Sequence, residues 1–279
     1  MKRPVSKKSL ARFPGMLVLL GAGKMGAALL EGWLARGLDP KKLAVIEPQP
    51  SKDIKMLVRR GIQLNPQGLK RPATAVVIAV KPQAAPEALP VLLPFFDKKT
   101  LALSIMAGRT LGFLADALPK STAIVRAMPN TPAAIGRGIT VAVPNTRVSA
   151  RQRQLATSLL VATGGVEWVR DEALMDAVTA LSGSGPAYVF LFCEAMTAAG
   201  IAAGLPSPLA ARLARETVTG SGELLHRSHL DAPTLRQNVT SPGGTTAAAL
   251  SVLRGPDGFE RLLTEAIAAA TRRSRELAG

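Results

Sequence analysis

The chain has 279 residues, 47% of them hydrophobic, and a formal net charge of +16 at neutral pH. That apolar content excludes wholesale disorder and is enough for two domains of ordinary size. A single cysteine, Cys193, excludes an internal disulfide framework and suits a reducing, cytoplasmic setting.

The first fifteen residues, MKRPVSKKSLARFPG, are basic and have no apolar stretch before Met16, which argues against a secretory signal. Residues 1–12 read as a mobile tail holding Lys2, Arg3, Lys7, Lys8 and Arg12. The remaining positive charges are scattered. With seven Phe and one Tyr in the whole chain, no basic run is interleaved with aromatics to stack bases. The charge therefore reads as solvated surface that helps attract anionic ligands, and no nucleic-acid partner is expected. No stretch reaches the roughly 18 uninterrupted apolar residues of a membrane-spanning helix, so no membrane partner is expected.

From Met16 onward, short apolar runs alternate with helical patterns. The predicted strands are MLVLL (16–20), LAVIE (43–47), AVVIAV (75–80), TLALSIM (100–106), AIVRAM (123–128), GITVAV (138–143) and VEWV (166–169). Amphipathic stretches lie between them at 25–36, 51–60, 110–118 and 150–162. Unbroken Val/Ile/Leu runs suit strands buried on both faces, and the helices suit crossovers in a parallel sheet. The expected fold is α/β, a doubly wound sheet over 13–170. After Asp171 strand signals stop. Ala- and Leu-rich segments at 171–203, 208–227, 245–254 and 257–277 predict an all-helical second domain over 171–279, whose apolar helices a subunit interface would cover.

The first predicted strand runs into Gly21-Ala22-Gly23-Lys24-Met25-Gly26. In a dinucleotide-binding turn, Gly21 permits the tight bend, Gly23 the approach of a pyrophosphate, and Gly26 the helix–strand contact. The following helix aims its free N–H groups and dipole at the phosphates. Strand before and helix after are the context that gives this pattern weight. Glu47, about 21 residues past Gly26 at the end of the second strand, is placed to bind adenosine ribose hydroxyls. Its charge opposes a 2′-phosphate, which Lys52 and Lys55 nearby would counter. Loops after later strands offer Val80-Lys81-Pro82, Met106-Ala107-Gly108 and Met128-Pro129-Asn130-Thr131-Pro132, each equally readable as an ordinary turn.

In the second half, NVTSPGGTTAAAL (238–250) places Pro and two glycines before Thr245-Thr246 and an Ala-rich helix. This is either a carboxylate or phosphate cradle or a plain Thr N-cap. His226 and His229 lack further ligands nearby, so no metal site is expected. Cys193, Trp33 and Trp168 read as packing residues, and Ser182-Gly183-Ser184-Gly185-Pro186 as a kink or a close helix crossing.

The motifs GAGKMG, AVKPQ, SIMAG, RAMPNTPA, DAVTALSGSGPAY and VTSPGGTTAAAL, in that order over residues 16–277, resemble pyrroline-5-carboxylate reductase. The resemblance implies a Rossmann domain carrying NADPH or NADH, followed by a helical dimerisation domain, with dimers often assembled into a decamer. It implies reduction of 1-pyrroline-5-carboxylate to L-proline, the last step of proline biosynthesis. Leu20 to Met25, Glu47, Ala79, Lys81 and Ala107 would contact the cofactor, with Asn238 at its nicotinamide end. Ser241, Gly243, Gly244, Thr245 and Thr246 would hold the substrate carboxylate. Glu172 would be the acid near the substrate ring, favouring the iminium through its charge or a bridging water. Many relatives carry a glutamate before a His-Pro pair upstream of SPGG; here the stretch is Arg227 to Pro233, with Asp231 as the available acid. The enzymatic rivals are a β-hydroxyacid dehydrogenase and a wider-specificity imine reductase; against the first, residues 171–211 contain no Lys to transfer a proton. A cofactor-sensing nucleic-acid binder is the non-enzymatic one.

Overall fold

The structure is a computed structural model that describes residues 10–278. The chain divides into two compact units, Met1–Gly183 with Thr271–Gly279, and Ser184–Ala270. The first therefore continues past the last strand and takes back the end of the last helix.

The first unit holds an eight-stranded sheet: β1 (Leu17–Leu20), β2 (Leu43–Ile46), β3 (Gln63–Leu64), β4 (Ala75–Ile78), β5 (Leu101–Ser104), β6 (Ala123–Met128), β7 (Gly138–Pro144) and β8 (Gly164–Trp168). Their order is β3-β2-β1-β4-β5-β6-β7-β8, with β1 to β6 parallel. All seven predicted strands are present, and β3 is an addition too short to show in the sequence. One expectation needs correcting, because β7 runs antiparallel to β6. Only residues 129–137 connect them, shorter than the dozen or so residues a parallel crossover needs. β8 then pairs parallel to β7, after a crossover through a helix.

Both faces of the sheet are covered, and alternate residues of one strand feed different cores. Leu17 and Leu19 of β1 pack with Leu29, Leu30 and Trp33, while Val18 and Leu20 pack with Leu89, Leu92 and Phe95. On the first face lie α1 (Lys24–Ala35), α2 (Lys52–Val58) and, after α3 (Ala85–Ala88) and α4 (Leu111–Ala117) on the other, α5 (Ala150–Leu160). Trp33 is fully buried and its indole N–H donates to the Leu159 carbonyl at 2.9 Å, joining α1 to α5. The helical turns of 82–95 escape the sequence pattern because Pro82, Pro86, Pro90 and Pro94 break its period. Residues 1–9 of the expected tail lie outside the described residues. Its end is packed: Leu10 is 2% exposed and its N–H donates to the Arg36 carbonyl.

After β8, α6 (Met175–Val178) runs into a π-helical turn, Thr179–Gly183. An added Cβ at Gly183 would collide with the methyl of Met128, so the glycine of the SGSGP stretch permits a close crossing.

The second unit is helical: α7 (Gly185–Ala202), α8 (Ser207–Arg227), α9 (Ala232–Asn238), α10 (Thr245–Leu253) and most of α11 (Phe259–Ala278). α9 was not anticipated; Asp231 caps it by accepting the Thr234 N–H at 2.9 Å. Helices α7 and α8 form a hairpin about Gly204 (φ +97°), and Gly200 lets α7 approach Ala210 of α8. Phe192 and Phe259 meet edge to face, with ring centroids 5.6 Å apart. In this unit only Ala210 and Ala214 are buried among the described residues, while Phe190, Leu191, Val252 and Leu262 stand 60% or more exposed. The helical run Glu172–Ala202 is long and apolar enough, by length and composition, to cross a membrane.

Candidate active site

The carboxyl ends of β1, β2, β4 and β5 bring the first group of candidates together within one unit. Gly21 leaves β1 with φ +87°, and an added Cβ would stand 2.8 Å from the Ala79 carbonyl oxygen. Its N–H donates to Ile46, and the Ala79 N–H donates to Leu20, so the turn is tied to strands on both sides. An added Cβ at Gly26 would collide with the Gly21 carbonyl, which fixes the close contact of helix and turn. Gly23 differs: nothing lies within 4 Å of its missing side chain. It is the N-cap of α1 and offers no side-chain cap. The first helical bond runs from the Ala27 N–H to Gly23 at 2.8 Å, so the N–H groups of Lys24, Met25 and Gly26 remain for an external acceptor. An uncapped helix start beside open space suits a pyrophosphate.

Glu47 lies against this turn. Its Oε2 accepts the Ala22 N–H at 2.8 Å, and its Oε1 accepts the Gln49 N–H at 3.0 Å. Each oxygen keeps a second lone pair, so the carboxylate can still accept a ribose hydroxyl. Asn65, just after β3, holds the Glu47 backbone from both sides: its Oδ1 accepts the Glu47 N–H and its Nδ2 donates to the Glu47 carbonyl. Asn65 adopts φ +49°, which Asn tolerates better than most residues. Sequence reasoning missed it, though the Asn65-Pro66 pair is a turn signal. Lys81 and Ala107, exposed in the loops after β4 and β5, complete the first group.

Glu172 is held by two neighbours in the first unit. Its Oε1 accepts the Leu111 N–H at 2.8 Å and an Arg126 guanidinium N–H at 2.7 Å. The Arg126 side chain is 5% exposed and that of Glu172 29%. The ion pair offsets the carboxylate charge that was expected to favour an iminium. Arg126 also escaped notice, although one arginine inside the apolar run AIVRAM already calls for a buried partner.

The second group lies in the helical unit. Asn238 is the exposed last residue of α9. Ser241 to Gly244 form a turn in which the Gly244 N–H donates to the Ser241 carbonyl at 3.1 Å and Gly243 takes φ +69°. The plain Thr N-cap is not what forms: Gly244 is the N-cap of α10 and no side chain caps it. The first-turn N–H groups of Thr245 and Thr246 and both hydroxyls thus remain for an anion. Asp231 is committed to capping α9, and the hydroxyl and N–H of Thr234 hold its carboxyl below the usual range.

Residues 172–277 match the family described as pyrroline-5-carboxylate reductase dimerisation, and residues 16–108 match NADP oxidoreductase, coenzyme F420-dependent. The chain is 39% identical over 264 residues to a pyrroline-5-carboxylate reductase of Pseudomonas aeruginosa, covering 94% of this chain and 96% of the relative. Among solved structures, it is similar to a pyrroline-5-carboxylate reductase from Coxiella burnetii (TM-score 0.85, 34% identity, covering 95% of this chain and 99% of that one). A second, from Plasmodium falciparum with NADP bound, has a TM-score of 0.78 at 30% identity, covering 95% and 98%. The dimerisation match accounts for apolar faces of α7 to α11 that a single chain leaves uncovered. The chain belongs to the pyrroline-5-carboxylate reductase family.

Proposed function

We propose that this protein reduces 1-pyrroline-5-carboxylate to L-proline with NAD(P)H, the last step of proline biosynthesis. The observation that carries the reading is the 39% identity over 264 residues, which takes in both the nucleotide turn and the helical unit. When bound, the reduced nicotinamide supplies the hydride that C5 of the ring receives. The ring C=N becomes C–N, and the nitrogen takes one proton from solvent to end as the amine.

The residues bind and orient. The uncapped start of α1 receives the pyrophosphate, Gly23 lets it approach, and Glu47 accepts from the ribose. Ser241 and the backbone of Gly243 and Gly244, with Thr245 and Thr246, hold the substrate carboxylate at the start of α10. Asn238 is assigned to the nicotinamide end, and Lys81 and Ala107 to the strand-end loops that flank the cofactor. No nucleophile is needed, so rate comes mainly from aligning two flat rings. Glu172, engaged by Arg126, is assigned a positioning role.

The protein works in the cytoplasm as a homodimer, and five such dimers make up the decamer that is its larger form. The uncovered faces of α8 and α11 support a large self-association surface. The deciding experiment follows nicotinamide oxidation with pyrroline-5-carboxylate, with NADPH and NADH side by side. Turnover with either supports the reading, and absence of turnover with both overturns it. Light scattering on the same sample reads the assembly.

A further inference from the structure

We propose that Arg109 is a positioning residue for the cofactor, tying the loop after β4 to the loop after β5. The proposal rests on the reading that NAD(P)H binds at the carboxyl ends of these strands.

Gly108 turns the chain after β5 with φ +70°, and the Arg109 side chain reaches across to the neighbouring loop. Its Nε and one terminal nitrogen both donate to the Pro82 carbonyl, at 3.2 and 2.9 Å. Its guanidinium carbon stacks 4.5 Å from the centre of the Phe113 ring, in the first turn of α4. One side chain therefore fastens three things: the β4 loop through Pro82, the β5 loop through its own backbone, and α4 through Phe113. Residues 82–84 form a single helical turn that no side chain caps, and Pro82 has no N–H to donate. A planar guanidinium that is both forked and stacked loses little freedom on making these contacts, which suits it to fixing a loop. Lys81 and Ala107 sit in the two loops so joined. Without the tie, ordering those loops would be charged to cofactor binding.

The test is fluorescence titration of NADPH, which needs no turnover. Arg109→Ala should raise the Kd roughly tenfold, the scale of a lost charge-assisted hydrogen bond. KM for the pyrroline and kcat at saturating cofactor should stay within about twofold, since Arg109 holds loops assigned to the cofactor and is not among the residues assigned to the substrate carboxylate. The deficit should persist at about 1 M salt, where the Debye length is about 3 Å and simple attraction of phosphate by charge is screened. Arg109→Lys, which keeps the charge but loses fork and stack, should recover less than half of it. Phe113→Leu, which keeps charge and fork, should show a smaller loss. An unchanged Kd in Arg109→Ala overturns the proposal, as does a deficit abolished by salt or fully rescued by lysine. Parent protein that binds NADPH or NADH but reduces no pyrroline overturns the enzymatic reading and leaves this one standing; parent protein that binds neither nucleotide overturns both.

Discussion

The Arg126 guanidinium and the Glu172 carboxylate meet at 2.7 Å, joining the middle of β6 to the segment after β8. The same carboxylate oxygen accepts the N–H of Leu111 at the start of α4. Removing one partner strands the other, and breaking a fully buried pair costs about 3–5 kcal/mol. Glu172 is nearly a third exposed, so the discounted expectation for Glu172→Ala is about 2 kcal/mol of stability in urea unfolding. Arg126→Met combined with Glu172→Leu should be more stable than the sum of the single losses implies. If that double variant keeps kcat within about tenfold, Glu172 positions; a far larger drop in a stably folded double variant returns it to the chemistry.

The glycines of the turn separate folding from binding. Gly26→Ala drives a methyl into the Gly21 carbonyl and should destabilise the protein. Gly23→Ala meets nothing within 4 Å, and its extended φ of −66° is open to alanine. Gly23→Ala should therefore unfold within about 0.5 kcal/mol of the parent. It should nonetheless bind NAD(P)H at least about tenfold more weakly, because the methyl would occupy the approach proposed for the pyrophosphate. Equal affinity in a calorimetric titration would remove the pyrophosphate from this position.

These two cases show how far residue order alone carries. The seven main strands were legible because β/α alternation with unbroken apolar runs is a strong signal, and the glycine turn was legible because a strand precedes it and a helix follows. The reversal at β7 was missed although the short connection 129–137 was already visible between the predicted strands, since direction depends on that length rather than on any property of GITVAV. Ties such as Asn65 to Glu47 or Arg126 to Glu172 span 18 and 46 positions, and no local pattern encodes them. The glycine N-cap of α10 was not read: the sequence left an anion cradle and a plain Thr N-cap as alternatives, because a threonine after Gly-Gly fits either a cap or a first-turn residue.

Glu47 should set cofactor preference. Its carboxylate accepts the Ala22 N–H, and a 2′-phosphate on the ribose would bring more negative charge nearby. Glu47→Gln retains an acceptor oxygen and loses the charge. At about 1 kcal/mol for charges near 4 Å in water, the ratio of kcat/KM for NADPH over NADH should rise about fivefold. A ratio that falls would mean the carboxylate is not beside the phosphate position.

Thr246 lies in the first turn of α10, partly buried, with its hydroxyl beside N–H groups that no side chain caps. Thr246→Ala should raise KM for the pyrroline about tenfold and leave KM for NAD(P)H within about twofold, since the hydrogen bond proposed for this hydroxyl is to the substrate carboxylate. Equal effects on both would detach this turn from the substrate.

The helical unit makes the largest demand on a partner. Phe190 and Leu191 of α7 are 62% and 63% exposed in one chain, and the matched family is a dimerisation domain. Fully covering one such side chain is worth about 1.5–3 kcal/mol, and a two-fold interface uses each twice. Phe190→Glu replaces that gain with an unpaired charge on each subunit, so the dimer should weaken by at least about a hundredfold. Size-exclusion chromatography with light scattering should then report the mass of one chain at micromolar protein. The melting temperature should fall and lose its dependence on protein concentration at these levels, because association no longer adds to the stability of the fold. The contact between Phe192 and Phe259 lies within the chain, so Phe192→Leu should lower the melting temperature while leaving the assembly intact. An unchanged mass for Phe190→Glu would move the interface off this part of α7 and onto the remaining uncovered faces of α8, α10 and α11.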